Sequence, residues 1–173
     1  MRPWSSRRSS ALGGIDILIN NAGVLSLGPI DDFKLADFDR TIAINVRAVF
    51  VATQAAVRHM KEGGRIINIA ERIPFQGGSV YAMSKSAPQG LVQGLARDLG
   101  ARGITINNVR PGPINTEMNP DKSEFAEMLK KQFMAVLRYG TVEEVAAMVA
   151  YLVGPEAGSV TGASLTIDGG FNA

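Results

Sequence analysis

Short apolar, β-branched runs alternate along this chain with longer stretches of helical period, and that alternation limits the folds open to it. Residues 15–19 form the first such run, closed by the turn residues Asn20, Asn21, Ala22 and Gly23. Residues 65–70 (RIINIA) and 104–109 (ITINNV) form two more, the second stopped by Pro111, Gly112 and Pro113. Residues 165–167 begin a last one before Asp168, Gly169 and Gly170. Between them, residues 37–60 place Phe38, Ile42, Val46, Val49 and Phe50 on one helical stripe, which Gly63 and Gly64 close. Residues 79–100, 123–137 and 141–153 are also predicted helices, and Thr141 with Glu144 has the spacing of a capping box. This order predicts an α/β fold, a parallel sheet with helices on both faces. Strands this apolar are expected where both faces of a sheet are covered. Ligands in such sheets sit beyond the carboxyl ends of the strands. Residues 20–23, the segment after Ile69 and residues 111–116 would line that crevice.

The chain has 173 residues, enough for one domain with a sizeable core. Its net charge of +2 is too small to suggest a nucleic-acid partner, and no apolar run is long enough to span a membrane. Cysteine is absent, which excludes disulfides, thiolate nucleophiles and Cys-based metal sites. His59, the single histidine, reads as a surface helix residue, so no metal centre is expected. Residues 1–14 are rich in Ser and Arg and lack the apolar segment of a secretory signal. They read as a disordered or artefactual tail before a domain of residues 15–173, with the cytoplasm as the expected compartment.

Tyr81 and Lys85 carry the chemistry. Four residues apart on a predicted helix, they share a face. A phenol has a reference pKa of about 10, and a neighbouring ammonium lowers it. Such a pair can give a proton to a developing alkoxide or take one from an alcohol. That suits carbonyl/alcohol interconversion beside a hydride carrier. Three further strings accompany the pair: Asn20-Asn21-Ala22-Gly23 after a strand, Asn45 within the preceding helix, and Pro111-Gly112-Pro113-Ile114-Asn115-Thr116 after the next strand.

This ordered set resembles the short-chain dehydrogenase/reductase family over residues 15–173. The resemblance implies a Rossmann-like doubly wound fold and an NAD(P)-dependent oxidoreductase acting on a small ketone or secondary alcohol. It implies that Tyr81 is the general acid/base. Lys85 would lower the tyrosine pKa and bind the nicotinamide ribose, and Asn45 would hold a relay water. Asn21, Ala22 and Gly23 would contact the adenosine side of NADP or NAD; Pro111, Gly112, Ile114 and Thr116 would border its nicotinamide. Family members are usually dimers or tetramers, here joined through residues 37–60, 79–100 and 161–173. Glu71-Arg72-Ile73-Pro74 and Gly94-Leu95-Ala96-Arg97-Asp98 also resemble a subgroup containing a cyclic-di-GMP-binding protein of biofilm dispersal. The alternatives are therefore a non-catalytic nucleotide binder of that type or a truncated partner subunit.

Three departures from the family pattern stand out. The family's first strand and its Gly-rich phosphate turn have no counterpart in residues 1–14, so weak dinucleotide binding and an exposed apolar edge at residues 15–19 are expected. The family serine beyond the RIINIA-type strand is missing, in register with a deletion of about four residues between Ile69 and Ala70. Losing such a donor costs about 10²–10³ in rate, and Ser79 is the one nearby substitute. Finally, Pro88 lies one turn after Lys85, where a proline inside a helix would kink it.

Overall fold

The computed structural model describes residues 13–71, 76–117 and 119–173. Strands β1 (Ile15–Asn20), β2 (Met60–Ile69), β3 (Thr105–Pro111) and β4 (Ser164–Ile167) follow one another in that order across one sheet, and every pairing is parallel. Adjacent residues of β2 show why both faces are apolar. Ile66 packs with Ala56, Val92, Leu99 and Ile106 on one side, whereas Ile67 packs with Val109 and Leu152 on the other. Helices α2 (Ala48–Val57) and α4 (Pro88–Leu99) cover the first face, and α6 (Val142–Val153) covers the second. The doubly wound α/β expectation is met.

Along one row of register partners across the sheet the interior turns polar. Asn20, Asn68, Asn108 and Ser164 are register partners, one from each strand. Asn20 Nδ2 donates to Asn68 Oδ1 at 2.8 Å, Asn68 Nδ2 to Asn108 Oδ1 at 3.1 Å, and Asn108 Nδ2 to Ser164 Oγ at 3.1 Å. Each buried amide in the row is thus satisfied by its neighbour, as burial demands. This row ties the four strands together in one register.

Several boundaries differ from the sequence expectation. The helix of residues 37–60 is α1 (Leu35–Ile42), a π turn (Ala43–Arg47) and α2. It ends at Val57, and His59 lies in a turn whose carbonyl accepts from Ile15 N–H at 3.2 Å. Gly63 and Gly64 belong to β2. Ile15 pairs with Met60 and Ile17 with Arg65, so the intervening residues bulge, and Gly63 takes φ +78 there. The buried stripe is also different. It holds Thr41, Asn45, Val49, Thr53 and Ala56, while Phe50 is exposed.

Residues 79–100 divide into α3 (Ser79–Ser86) and α4, with a short 3₁₀ turn at Gly100–Arg102. Pro88 is the first residue of α4, the position where a missing N–H costs least. Ala87 stays helical, and its N–H reaches Met83 O at 3.1 Å, so the turn bearing Tyr81 and Lys85 is intact. Helix α5 (Glu124–Gln132) is shorter than expected; Ser123 Oγ caps it by accepting from Ala126 N–H at 3.1 Å. The capping box forms at α6: Glu144 N–H donates to Thr141 Oγ1 at 3.3 Å, and Thr141 N–H to Glu144 Oε2 at 2.9 Å. The open apolar edge is present, since Ile17 and Ile19 on β1 are 47% and 46% exposed.

Candidate active site

Helix α3 presents Tyr81 and Lys85 towards the carboxyl end of β2. Lys85 is buried, and its Nζ donates to Ile69 O, the last carbonyl of the strand, at 3.2 Å. On its other side runs the loop that leaves β1. A Cβ on Gly23 would lie 2.8 Å from Lys85 Nζ and 3.5 Å from Asn45 Oδ1. Glycine is needed there for close approach rather than for its backbone freedom.

Asn45 occupies the π turn and acts as a clamp. Its Oδ1 accepts from Val24 N–H at 2.9 Å, and its Nδ2 donates to Val24 O at 2.9 Å and to Ser84 Oγ at 2.9 Å. Ser84 in turn donates to Tyr81 O at 2.8 Å. The asparagine side chain therefore ties the β1 loop to α3, and its polar atoms are committed to Val24 and Ser84. A π turn adds a residue to the helix and rotates the residues C-terminal to it, a local distortion common at functional sites.

Tyr81 donates its hydroxyl proton to Glu71 Oε2. Burial first, then the negative charge of Glu71 and the hydrogen bond to it, hold the phenol well above its ordinary range. Glu71 is half-buried, and burial raises its carboxyl more than Tyr81 and Lys85 lower it. Burial lowers Lys85, against a smaller upward pull from Glu71.

The remaining expected contacts lie along the same strand ends. Asn21 and Ala22 are exposed after β1. Pro111 ends β3; Gly112 is buried, and a Cβ there would come within 2.6 Å of Asp168 Cβ, so packing against the end of β4 requires the glycine. Ile114 pairs with Gly140, while Thr116 is exposed and accepts from Asn119 N–H at 3.2 Å. Ser79 is exposed at the start of α3, whereas Glu71 meets the tyrosine hydroxyl. Beyond the RIINIA segment and Glu71, residues Arg72 to Phe75 lie outside the described residues. Across the Ile69–Ala70 junction the strand register continues: Ile69 pairs with Val109, and Ala70 N–H donates to Val109 O at 2.9 Å.

These residues fit a dinucleotide at its nicotinamide-ribose end. An ammonium has three donors, and Ile69 O takes one, leaving donors for ribose hydroxyls. The loop of Asn21 and Ala22 beside it is open to solvent. Two residues of the site escape sequence reasoning. Ser84 is visible only as the residue one turn from Tyr81 on the buried side. Glu71 is visible within the Glu71-Arg72-Ile73-Pro74 string and as an acid after an apolar strand, with nothing that ties it to Tyr81.

A family model described as Enoyl-(Acyl carrier protein) reductase matches residues 4–172, beginning inside the stretch expected to be a tail. The cyclic-di-GMP-binding biofilm dispersal mediator protein of Escherichia coli (strain K12) is 50% identical over 165 residues, covering 93% of this chain and 69% of its own length. A short-chain dehydrogenase/reductase from Serratia marcescens is 60% identical with a TM-score of 0.94, over 98% of this chain and 70% of that one. A short-chain dehydrogenase from Burkholderia cenocepacia, solved in complex with NADP, is 51% identical with a TM-score of 0.93 over 98% and 70% of the two chains. The chain spans 62% of the length of three further curated relatives. With this match in sequence, fold and strand-end motifs, the chain belongs to the short-chain dehydrogenase/reductase family of NAD(P)-dependent oxidoreductases.

Proposed function

We propose that this chain interconverts a small ketone and its secondary alcohol with NADP or NAD, using Tyr81 as the proton donor and acceptor. The observation that carries the reading is the placement of Lys85. It is buried beside Tyr81, anchored on Ile69 O, and fitted against Gly23, where a Cβ would come within 2.8 Å of its Nζ. A buried ammonium at that place favours negative charge on a phenol or substrate oxygen, and it offers donors to a ribose. Bound cofactor supplies or accepts the hydride. The substrate oxygen takes the Tyr81 proton as the hydride reaches its carbon, and Tyr81 takes it back in the alcohol direction. Asn45 is a positioning residue that holds the β1 loop to α3 through Val24 and Ser84. Asn21, Ala22 and Gly23 take the adenosine side of the cofactor; Pro111, Gly112, Ile114 and Thr116 take the nicotinamide side.

The outward faces of α2 and α3 expose Phe50, Val51 and Met83, which supports assembly as a homodimer or homotetramer. Among the described residues no helix is long and apolar enough to cross a membrane, and a cytoplasmic site of action agrees with that. The test is oxidation of NADPH or NADH by the purified chain with a panel of ketones. Ketone-dependent oxidation is expected; none with any ketone, and no change in nicotinamide fluorescence on mixing, overturns the reading. A second reading draws on the 50% identity to the protein named as a cyclic-di-GMP-binding dispersal mediator. In that reading, the crevice takes a cyclic dinucleotide without turnover, and calorimetric binding of cyclic-di-GMP with no cofactor oxidation would favour it.

A further inference from the structure

We propose that Glu71 is a further catalytic residue, whose carboxyl group exchanges a proton directly with the Tyr81 oxygen. The inference rests on the reading of Tyr81 as the proton donor. Its basis is the hydrogen bond from Tyr81 to Glu71 Oε2. Glu71 directly follows Ala70, whose N–H is bonded to Val109 O at 2.9 Å, so the end of the sheet sets where the Glu71 backbone begins.

A phenol has one proton to give. While Glu71 is a carboxylate it takes that proton's hydrogen bond, and a ketone oxygen, itself only an acceptor, finds no donor at Tyr81. Once Glu71 is protonated, its O–H can point to the Tyr81 oxygen, and the tyrosine O–H turns to the substrate. During reduction the Tyr81 O–H bond breaks as the alcohol O–H forms. The Glu71 O–H then breaks as the Tyr81 O–H re-forms, and the Glu71 carboxylate takes a proton from water. In the alcohol direction each transfer reverses. The groups that face Glu71 among the described residues are Tyr81 and Lys85, both on α3. Their pull towards the carboxylate is weaker than the effect of burial, so the carboxyl is held above its usual range, the direction this exchange needs.

The test combines ketone reduction across pH with infrared spectra of the same proteins. For the wild type, kcat is expected to fall as pH rises through the Glu71 titration. Glu71→Gln keeps a donor but cannot pass a proton, so kcat drops about 10²-fold and that limb disappears. Glu71→Ser restores a hydroxyl and recovers part of the rate, also without the limb. The infrared spectrum should show a protonated-carboxyl C=O stretch that fades over the same pH range, is absent in Glu71→Gln and shifts in Tyr81→Phe. An unchanged rate and pH profile in Glu71→Gln, or no such band in the wild type, overturns the proposal. If Glu71→Gln changes nothing while Tyr81→Phe abolishes turnover, Glu71 alone is misassigned. If Tyr81→Phe retains full activity, the reading of Tyr81 fails and takes this proposal with it.

Discussion

Asn45 and Tyr81 border one crevice, yet their polar atoms are handled in opposite ways. The Asn45 amide is neutral, and its bonds go to a backbone pair on Val24 and to the Ser84 hydroxyl. The Tyr81 hydroxyl bonds to a second ionisable group, Glu71, with a buried ammonium at Lys85 close by. A neutral clamp holds its geometry at any pH at which the chain is folded. An ionisable pair changes its hydrogen bonding with each proton gained or lost. The contrast teaches that position and chemistry are supplied here by separate residues, so substitutions should separate them too.

The sharpest separation is expected from Lys85→Met, which keeps the unbranched side chain up to its fourth atom and removes the ammonium. Turnover should fall by about 10²–10⁴-fold, with a comparable fold measured by circular dichroism. Asn45→Ala should do the reverse. It leaves the Val24 backbone groups and the Ser84 hydroxyl without their partner, a cost of about 1–3 kcal/mol in denaturant unfolding. That cost should be nearly the same at acid and alkaline pH, and a strong pH dependence would break the comparison. Gly23→Ala probes the place where the two regions touch. Its Cβ meets Lys85 Nζ at 2.8 Å, the movable end of a long side chain, so the expected result is a loss of turnover with only a small change in unfolding midpoint. The smallest effect serves as a reference away from the crevice. Glu144 is held at about 2, first by the Arg138 side chain and then by the Thr141 backbone N–H. A carboxyl lowered from 4.5 stabilises the fold fully above that value, and the contribution is lost as pH falls towards about 2. Glu144→Gln should flatten this acid limb in thermal melts and leave the Asn45 cost untouched.

The strands and their order could be read from the sequence because each is a short β-branched run with a turn behind it, and the Thr141 cap because its partner is three residues away. The buried stripe of α1 and α2 could not. Thr41 and Thr53 look like surface residues until Ser26 and Asn20 arrive from the β1 side to bond them, and Asn45, legible as a site residue, gives no sign of its bonds to Val24. The start of β2 was hidden for a similar reason, because a bulge opposite Ile15–Ile17 absorbs two glycines that resemble a helix stop. At the site, Tyr81 and Lys85 are legible from spacing within one helix. Glu71 lies in the segment after β2, away from that helix in sequence, and its effect on the tyrosine depends on burial that no local pattern records. The exposed edge at Ile17 and Ile19 was legible because it follows from which strands the matched pattern contains.

The central claim is that Tyr81 moves the proton while the clamp around it only holds it in place. Steady-state ketone reduction by wild type and Tyr81→Phe, at saturating cofactor and matched unfolding midpoints, tests this most directly. The expected result is a fall in kcat of about 10²–10⁴-fold with cofactor affinity retained. Equal kcat in the two proteins would contradict it.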